Sequence, residues 1–591
     1  MPAMTGARSS ARSSAPRAGA ASPPAGGRWR AVGLLLALHA VLLLWVSARQ
    51  SVTFDESFHL PAGVRILARG DFLTSYAQPP LAKSAAAAAA LLAGARVTAD
   101  SVATPGGERW VGEAFMRDNA DRFQRVYAAG RLPMMAISLA LAWLVWRVAS
   151  GWYGPRAGLL ALAAYAVSPE PLAHGSLVGV DVPTGLTFFG ATVAFVRFAR
   201  TRGMRTWWIA AAWFAAAFLV RFSAVQLLPA CALVLVLFAS QRGLRDARRA
   251  WLGLAGLAAV AWVAIELGYL GRGSFQPLGR LELYSEAFTR LKHLWPGLPV
   301  PLPEAYFRGL DYLAYLGTPG IKQSYFLGRV ASAHHVAYFP LAILVKYPLG
   351  WLALIVARAL RTDPGRSPLG ERAGARRRWG RMRLREWALL APVLTVLGVA
   401  MSSNLDYGLR YVFPILPFLC VWVGGLLAPG RGLEAAPTPA PRHALAWALV
   451  LAAGVESARA LPYPLAFFNL AAGGPGRGDR IVNDSNVDWG QGLIALRDEL
   501  HRRGIARVHL AYHGTVDPAL YGIDYIPYTG GAPGRESDWI AVSSYFFVGL
   551  PARMTTSFGQ SEQAVRLDFK PLWRRRPDAR PAGCMYLFRL R

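Results

Sequence analysis

The sequence predicts a mainly α fold: a polytopic bundle of about eleven transmembrane helices with a small α/β extramembrane domain at the C-terminal end. Three observations predict it. Hydrophobic residues make up 54% of the 591-residue chain, and the mean hydropathy is +0.29. They gather in blocks of about 17–25 residues, long enough to cross a bilayer. Short arginine-rich stretches separate the blocks, and only the last part of the chain alternates in the manner of strands.

The first 30 residues carry five arginines and no acid and read as a disordered basic tail on the cytoplasmic side. Spans follow near 31–48, 131–149, 157–173, 182–199, 206–220, 222–240, 250–270, 336–357, 387–402, 409–427 and 443–458. The first lacks a cleavage site and reads as a retained anchor. "LAKSAAAAAALLAGA" (81–95) is apolar but short, which suits a helix lying at the interface. With the N-terminus inside, the segments 197–205, 241–249 and 361–386 fall in the cytoplasm. The last, counted with Arg358, has ten arginines against three acids, whereas the outer loop 49–130 has nine basic residues against eight acidic ones. An odd number of spans places 459–591 outside. There "RVHLAYHG" and "WIAVSSYFFVG" read as strands and "GQGLIALRDELHRRG" as a helix. The domains are thus the tail 1–30, a membrane domain 31–458 with large outer loops 49–130 and 271–335, and an outer α/β domain 459–591. "APGRGLEAAPTPAPRHA" (428–444) is a linker.

Several function classes are excluded. The net charge of +30 lies between apolar blocks, where it orients helices; no nucleic-acid motif accompanies it. Cys231, Cys420 and Cys584 are far apart and lack metal-ligand spacing. No Walker loop, GxGxxG, HExxH or GxSxG is present. "DSNVDWG" (484–490) begins like a calcium loop, but Trp489 and Ala495 stand where an EF-hand needs Gly and Glu. Asp488 as a helix N-cap, with Gln491 three residues on, is the simpler reading.

On this topology the unusual polar residues fall on the outer side. Asp55 and Glu56 follow the first span directly, with His59 four residues past Asp55. His174 and Asp181 bracket the turn between the third and fourth spans, and Arg221 lies between the fifth and sixth. Lys346 sits about ten residues, or ~15 Å, into its helix, too deep to snorkel comfortably, so an internal anionic partner is expected. Arg410 opens the tenth span beside "FPILP". Charges at membrane depth cost a few kcal/mol and face a cavity or a partner. A carboxylate suits deprotonation of an acceptor hydroxyl, and cations suit a phosphate leaving group. Taken alone, His174 reads as a satisfied polar residue.

Read together, "TFDESFHLPAG", "GDF", "QPPLAK", "LAHGSLV", "RFSAVQLLP", "VPLPEAYFRGL", "YFPLAILVKYPLG" and "LRYVFPILPFL" resemble, in this order, membrane glycosyltransferases of the GT-C superfamily. The likeness is greatest to family 39, the polyprenyl-phosphate-sugar transferases related to protein O-mannosyltransferases and lipid A aminoarabinose transferases. "PYPLAFFNLAAGGPGRGDRIVNDSNVDWGQGL" resembles the outer segment of bacterial members. The resemblance implies a catalytic acid at Asp55, with Glu56 its neighbour and Asp181 a second acidic position. It also implies donor or phosphate binding by Lys83, His174, Arg221, Lys346 and Arg410. The implied partners are a polyprenyl-phosphate sugar, a lipid, polysaccharide or protein acceptor, and membrane lipids. The implied place is the inner (plasma) membrane, with the site and the C-terminal domain on the periplasmic side. No cofactor is required if the cations neutralise the leaving phosphate, although Glu56, His174 and Asp181 could recruit a divalent metal. A transporter or flippase is the alternative; it should show paired halves and broken helices, and no internal repeat is visible.

Overall fold

The structure is a computed structural model that describes residues 25–97, 107–242, 244–332, 334–361, 374–429, 440–555, 562–565 and 567–590. Residues 1–24 of the expected tail, 362–373 of the arginine-rich loop and 430–439 of the linker lie outside the described residues. A helix already begins at Ala25, so Arg28 and Arg30 belong to it.

The chain is a multi-pass membrane protein. Among the described residues, six helices are long and apolar enough to cross a bilayer: Gly27–Arg49, Phe123–Tyr153, Asp181–Thr201, Phe222–Ala239, Arg248–Gly268 and Leu409–Leu427. A bent pair, Tyr338–Lys346 and Leu349–Ala359, makes a seventh if counted as one span. Helix also occurs at each of the other expected blocks, in pieces that are shorter, broken or less apolar than these. The 157–173 block divides into Pro155–Ala166 and Pro169–Gly175, because Pro169 starts a new helix and leaves Ser168 extended. The 336–357 block bends by 113° at Pro348, with Tyr347 held extended before the proline. Met204–Val220 has 17 residues, and the 387–402 and 443–458 blocks lie within Gly374–Met401 and Ala440–Ala458.

On the arginine-rich side, cations close helix ends. Arg361 donates to the carbonyls of Gly425, Leu426 and Ala428, Arg385 donates to Trp152 O, and Arg358 pairs with Glu386 at 2.5 Å. These carbonyls lie at helix C-terminal ends, where cations complement the backbone and the dipole.

The expected α/β character of 459–591 holds. A four-stranded sheet runs Tyr525–Pro527, Val508–Ala511, Trp539–Ser543, Met585–Arg589; the first three strands are parallel and the last antiparallel. The helix Leu493–Arg503 covers it. This part is not packed as a separate body: Val482, Leu493, Leu496, Val508, Ala541 and Leu587 share one apolar core with the membrane helices.

The join is made at the chain leaving the first span. The Ser51 and Phe54 N–H groups donate to Gln491 O (3.2 Å) and Trp489 O (2.8 Å). Ser51 Oγ donates to Gly490 O at 2.7 Å, and Val52 N–H donates to the Tyr521 hydroxyl at 2.8 Å. Below this strap, Arg131 of the long helix Phe123–Tyr153 reaches the carbonyls of Ser47 (2.8 Å), Gln50 (3.2 Å) and Ser51 (3.1 Å). The same guanidinium meets Glu56 through two bonds of 2.7 Å. Glu56 also accepts from the N–H groups of Thr53 (2.9 Å) and Val178 (2.8 Å) and from the Thr53 hydroxyl (3.1 Å). Its exposure is 0%. Glu56, expected among the catalytic residues, is placed here as an anchor: both carboxylate oxygens are filled by hydrogen bonds and the residue is fully buried.

Glu56→Gln should leave Arg131 buried without its counter-charge, a change that typically costs about 3–5 kcal/mol. Thermal unfolding of the detergent-solubilised variant is expected to shift well below wild type. An unchanged midpoint would remove the anchoring role.

Candidate active site

Asp55 ends the strap and precedes the helix Glu56–Arg69, where its side chain makes no cap. The carboxylate turns instead to Arg410, with Oδ2 2.6 Å from Nη1. The side chains of Arg410 and Asp55 keep 14% and 22% of their surface exposed, so this pair opens onto a crevice. Arg410 is aligned by aromatic faces: its guanidinium lies 4.3 Å from the Trp489 ring centre and 5.4 Å from that of Tyr411.

A second pair sits deeper. Asp181, first residue of its helix, meets Arg221 Nη1 at 2.6 Å, with side-chain exposures of 3% and 6%. Arg221 lies 5.0 Å from the Tyr411 ring centre, so one phenol ring adjoins both guanidinium groups. His174 is 3.7 Å from Asp181 and 3.3 Å from Glu170, a carboxylate that sequence reasoning missed. Glu170 lies four residues before His174, and that i, i+4 spacing to the imidazole was the available signal.

His59 has Nε2 3.8 Å from Asp55 Oδ2, beyond hydrogen-bond reach, and its Nδ1 has no partner among the described residues. Burial pushes this imidazole down to about 4, against the pull of Asp55, so it is neutral near pH 7. Lys83 stands on the helix Pro80–Leu92 and donates to Ser75 O at 2.7 Å. That helix packs close to Glu56–Arg69, since a Cβ on Gly63 would come 2.2 Å from the Lys83 carbonyl oxygen.

Lys346 departs from expectation. Instead of an anion it meets two carbonyls, Leu465 O at 2.7 Å and Asn486 O at 2.6 Å, and the Phe468 ring centre at 4.8 Å. Its partners come from the outer segment, so the cation ties the broken helix to that segment. Asn486 links the same turn to the Arg410 region by accepting from Leu409 N–H at 2.9 Å.

The helix-cap reading of Asp488 is also corrected. The helix starts at Leu493 behind Gly492. Asp488 accepts from Gly490 N–H at 2.9 Å and from the Ser543 hydroxyl at 2.5 Å, while Gln491 bonds Trp489 N–H and Val487 O. Both residues fix the turn that places Trp489 on Arg410. Among the described residues, no group of three or more His, Cys, Asp or Glu side chains is set to hold one metal ion.

The geometry thus unites Asp55, Asp181, His174, Arg221 and Arg410, sets Lys83 beside them, and leaves Glu56 and Lys346 as structural anchors. It offers a half-open carboxylate for proton transfer beside two guanidinium groups suited to phosphate.

Residues 122–267, which carry His174, Asp181 and Arg221, match a family model described as dolichyl-phosphate-mannose-protein mannosyltransferase. The match supports the resemblance to GT-C glycosyltransferases. No curated protein sequence matches the chain. Among solved structures it is similar to ArnT from Cupriavidus metallidurans bound to undecaprenyl phosphate, at 16% identity over 84% of this chain and 75% of that one, with a TM-score of 0.41. The apo state of the same protein gives 14% identity over 75% and 80%, with a TM-score of 0.30.

Burial pushes the Asp488 carboxyl up to about 7, only partly offset by the Ser543 and Gly490 bonds. A folded-state value above the unfolded one means that the folded state binds more protons between about pH 4 and pH 7, so this group costs stability as pH rises through that window. Asp488→Asn is expected to melt at the wild-type temperature near pH 4 and above it at pH 8. Equal pH slopes for the two proteins would contradict a buried, hard-to-ionise Asp488.

Proposed function

We propose that the chain is a glycosyltransferase that moves a sugar such as mannose or aminoarabinose from a polyprenyl-phosphate carrier to an acceptor hydroxyl, on the outer (periplasmic) face of the inner membrane. The observation that carries this reading is the Asp55–Arg410 pair at the crevice, 2.6 Å apart and partly open. The family-model match over 122–267 supports it.

Each guanidinium is held by a carboxylate that it must share with an incoming phosphate. Arg–phosphate contacts are bidentate and charge-assisted, and the Asp55–Arg410 pair keeps more solvent access than the Asp181–Arg221 pair. A donor phosphate can therefore draw Arg410 away from Asp55. The buried Asp181–Arg221 pair is harder to open and holds the second cation in place. Asp55, released, takes the acceptor proton. The acceptor oxygen bonds to the anomeric carbon, and the bond from that carbon to the phosphate oxygen breaks. Its electron pair leaves on polyprenyl phosphate, facing Arg410 and Arg221. The base is thus exposed only when the leaving group is in place. Asp181 is too buried to reach an acceptor and serves by positioning Arg221.

The bent helix at Pro348 is the one feature that favours a transporter. Its freed backbone groups are already filled: Asn469 donates to Leu344 O (2.6 Å) and Tyr347 O (2.9 Å), and Glu456 accepts from Leu349 N–H (2.6 Å). Such filling leaves little for an ion to coordinate.

Asp55→Asn keeps size but accepts no proton, so transfer from polyprenyl-phosphate sugars should fall by about 10²–10⁴-fold while donor binding persists. Near wild-type transfer would end the base assignment. For Arg410→Met the donor KM should rise more than kcat falls; the reverse pattern would speak against a phosphate contact. Orientation is tested by a reporter fused after residue 465, expected to be active only outside, with a cytoplasmic signal overturning the assigned side.

A further inference from the structure

The crevice at Asp55 has a second wall, contributed by the outer segment and unused by the mechanism above. At its centre is Asp484. The neighbouring Asn483, Ser485 and Asn486 are buried, whereas Asp484 is partly exposed. Its backbone is left-handed, φ 61°, a conformation that residues other than Gly and Asn seldom adopt and that persists where surrounding bonds impose it. Those bonds are present. Ser485 Oγ donates to Tyr407 O, and Asn486 accepts from Leu409 N–H, so the turn is bolted to the segment that carries Arg410. Asp484 Oδ1 accepts from Ser485 N–H at 2.6 Å. These bonds set the Asp484 turn against residues 407–409, directly before Arg410.

Aromatic groups flank it. Phe54, His513 and Tyr545 form a column of parallel rings, with centres 5.7 Å and 3.7 Å apart and tilts of 9° and 2°. Phe54 adjoins Asp55 in sequence, so the column starts beside the proposed base. The Tyr407 hydroxyl is buried without a hydrogen-bond partner among the described residues, and Lys322 lies 5.7 Å from the centre of that ring. Flat apolar faces with a few convergent polar groups are the usual construction of a small-molecule site. Here the polar group is a carboxylate able to accept from two hydroxyls, beside aromatic rings, a combination that suits a polyhydroxylated ring better than an alkyl chain.

We propose that this wall is the acceptor subsite, that Asp484 binds hydroxyl groups of a sugar-bearing acceptor, and that the ring column and Tyr407 flank the acceptor's ring. The inference rests on the glycosyl-transfer reading and names the acceptor class for it. Burial and the nearby Asp55 raise the Asp484 carboxyl to about 6, with Arg410 and Lys322 opposing, so it is largely ionised at neutral pH, as a hydroxyl acceptor should be.

The test uses the full chain in lipid nanodiscs. Undecaprenyl phosphates carrying tritiated mannose, glucose or 4-amino-4-deoxyarabinose serve as donors, with decyl glucoside and a serine-containing peptide as acceptor probes. Wild type should label the glucoside in preference to the peptide. Asp484→Asn and Asp484→Gly should raise the KM for the glucoside at least tenfold and leave the donor KM within twofold. Both replacements suit a left-handed φ, so thermal shift should show them at least as stable as wild type; a purely structural Asp484 would then leave the KM unmoved. Preference for the peptide, or a wild-type glucoside KM in both variants, overturns the acceptor subsite while the transferase reading stands. Failure of wild type to transfer label to glucoside, peptide or water overturns that reading and this one with it.

Discussion

The Arg131–Glu56 pair decides where everything else can sit. A guanidinium and a carboxylate with 4% and 0% exposure could not be kept in a folded protein without each other, and together they bind five backbone groups of the chain between Ser47 and Val178. Once they are joined, the exit of the first span, the start of the helix Glu56–Arg69 and the turn before Asp181 are fixed relative to one another. Asp55 then has no freedom to follow Glu56 inward and faces the crevice. Adjacent carboxylates thereby have opposite surroundings, one fully buried and one partly open.

The crevice is built from charges that cancel in pairs. Asp55 faces Arg410 and Asp181 faces Arg221, so the site can exist at a membrane surface without an uncompensated ion. The two pairs differ in solvent access, and this difference separates their roles: the half-open pair can exchange partners at small cost, whereas the closed pair persists. Tyr411 adjoins both guanidinium groups, 5.0 Å from Arg221 and 5.4 Å from Arg410, and so links the two pairs.

Much of this was legible in the sequence. Helix occurs at every block that hydropathy marked. The carboxylates and cations that meet in space, Asp55, Asp181, Arg221 and Arg410, could be picked out because charge at the ends of apolar blocks is rare. Lengths were less legible, since Pro169 and Pro348 break blocks that read as continuous by composition. The partners of Glu56 and Lys346 were not legible for a shared reason: a buried charge signals a partner, but not which one, and theirs are an arginine 75 residues away and carbonyls more than a hundred residues away. The "DSNVDW" turn looked like a helix cap because its contacts with Tyr407, Leu409 and Ser543 are made by segments far along the chain.

The strap between Ser51–Phe54 and residues 489–521 also has a meaning in time. Its two sides are separated by up to 469 residues, so during synthesis the first span is in the bilayer long before its partner strand leaves the ribosome. Until then the Ser51 and Val52 backbone groups and the ring of Phe54 have only water or lipid headgroups to meet. Nascent and C-terminally shortened chains can therefore insert every helix and still lack a formed crevice. Long-range closure of this kind is slow relative to local helix formation, and it makes the last part of the chain to be synthesised the part that completes the site's geometry.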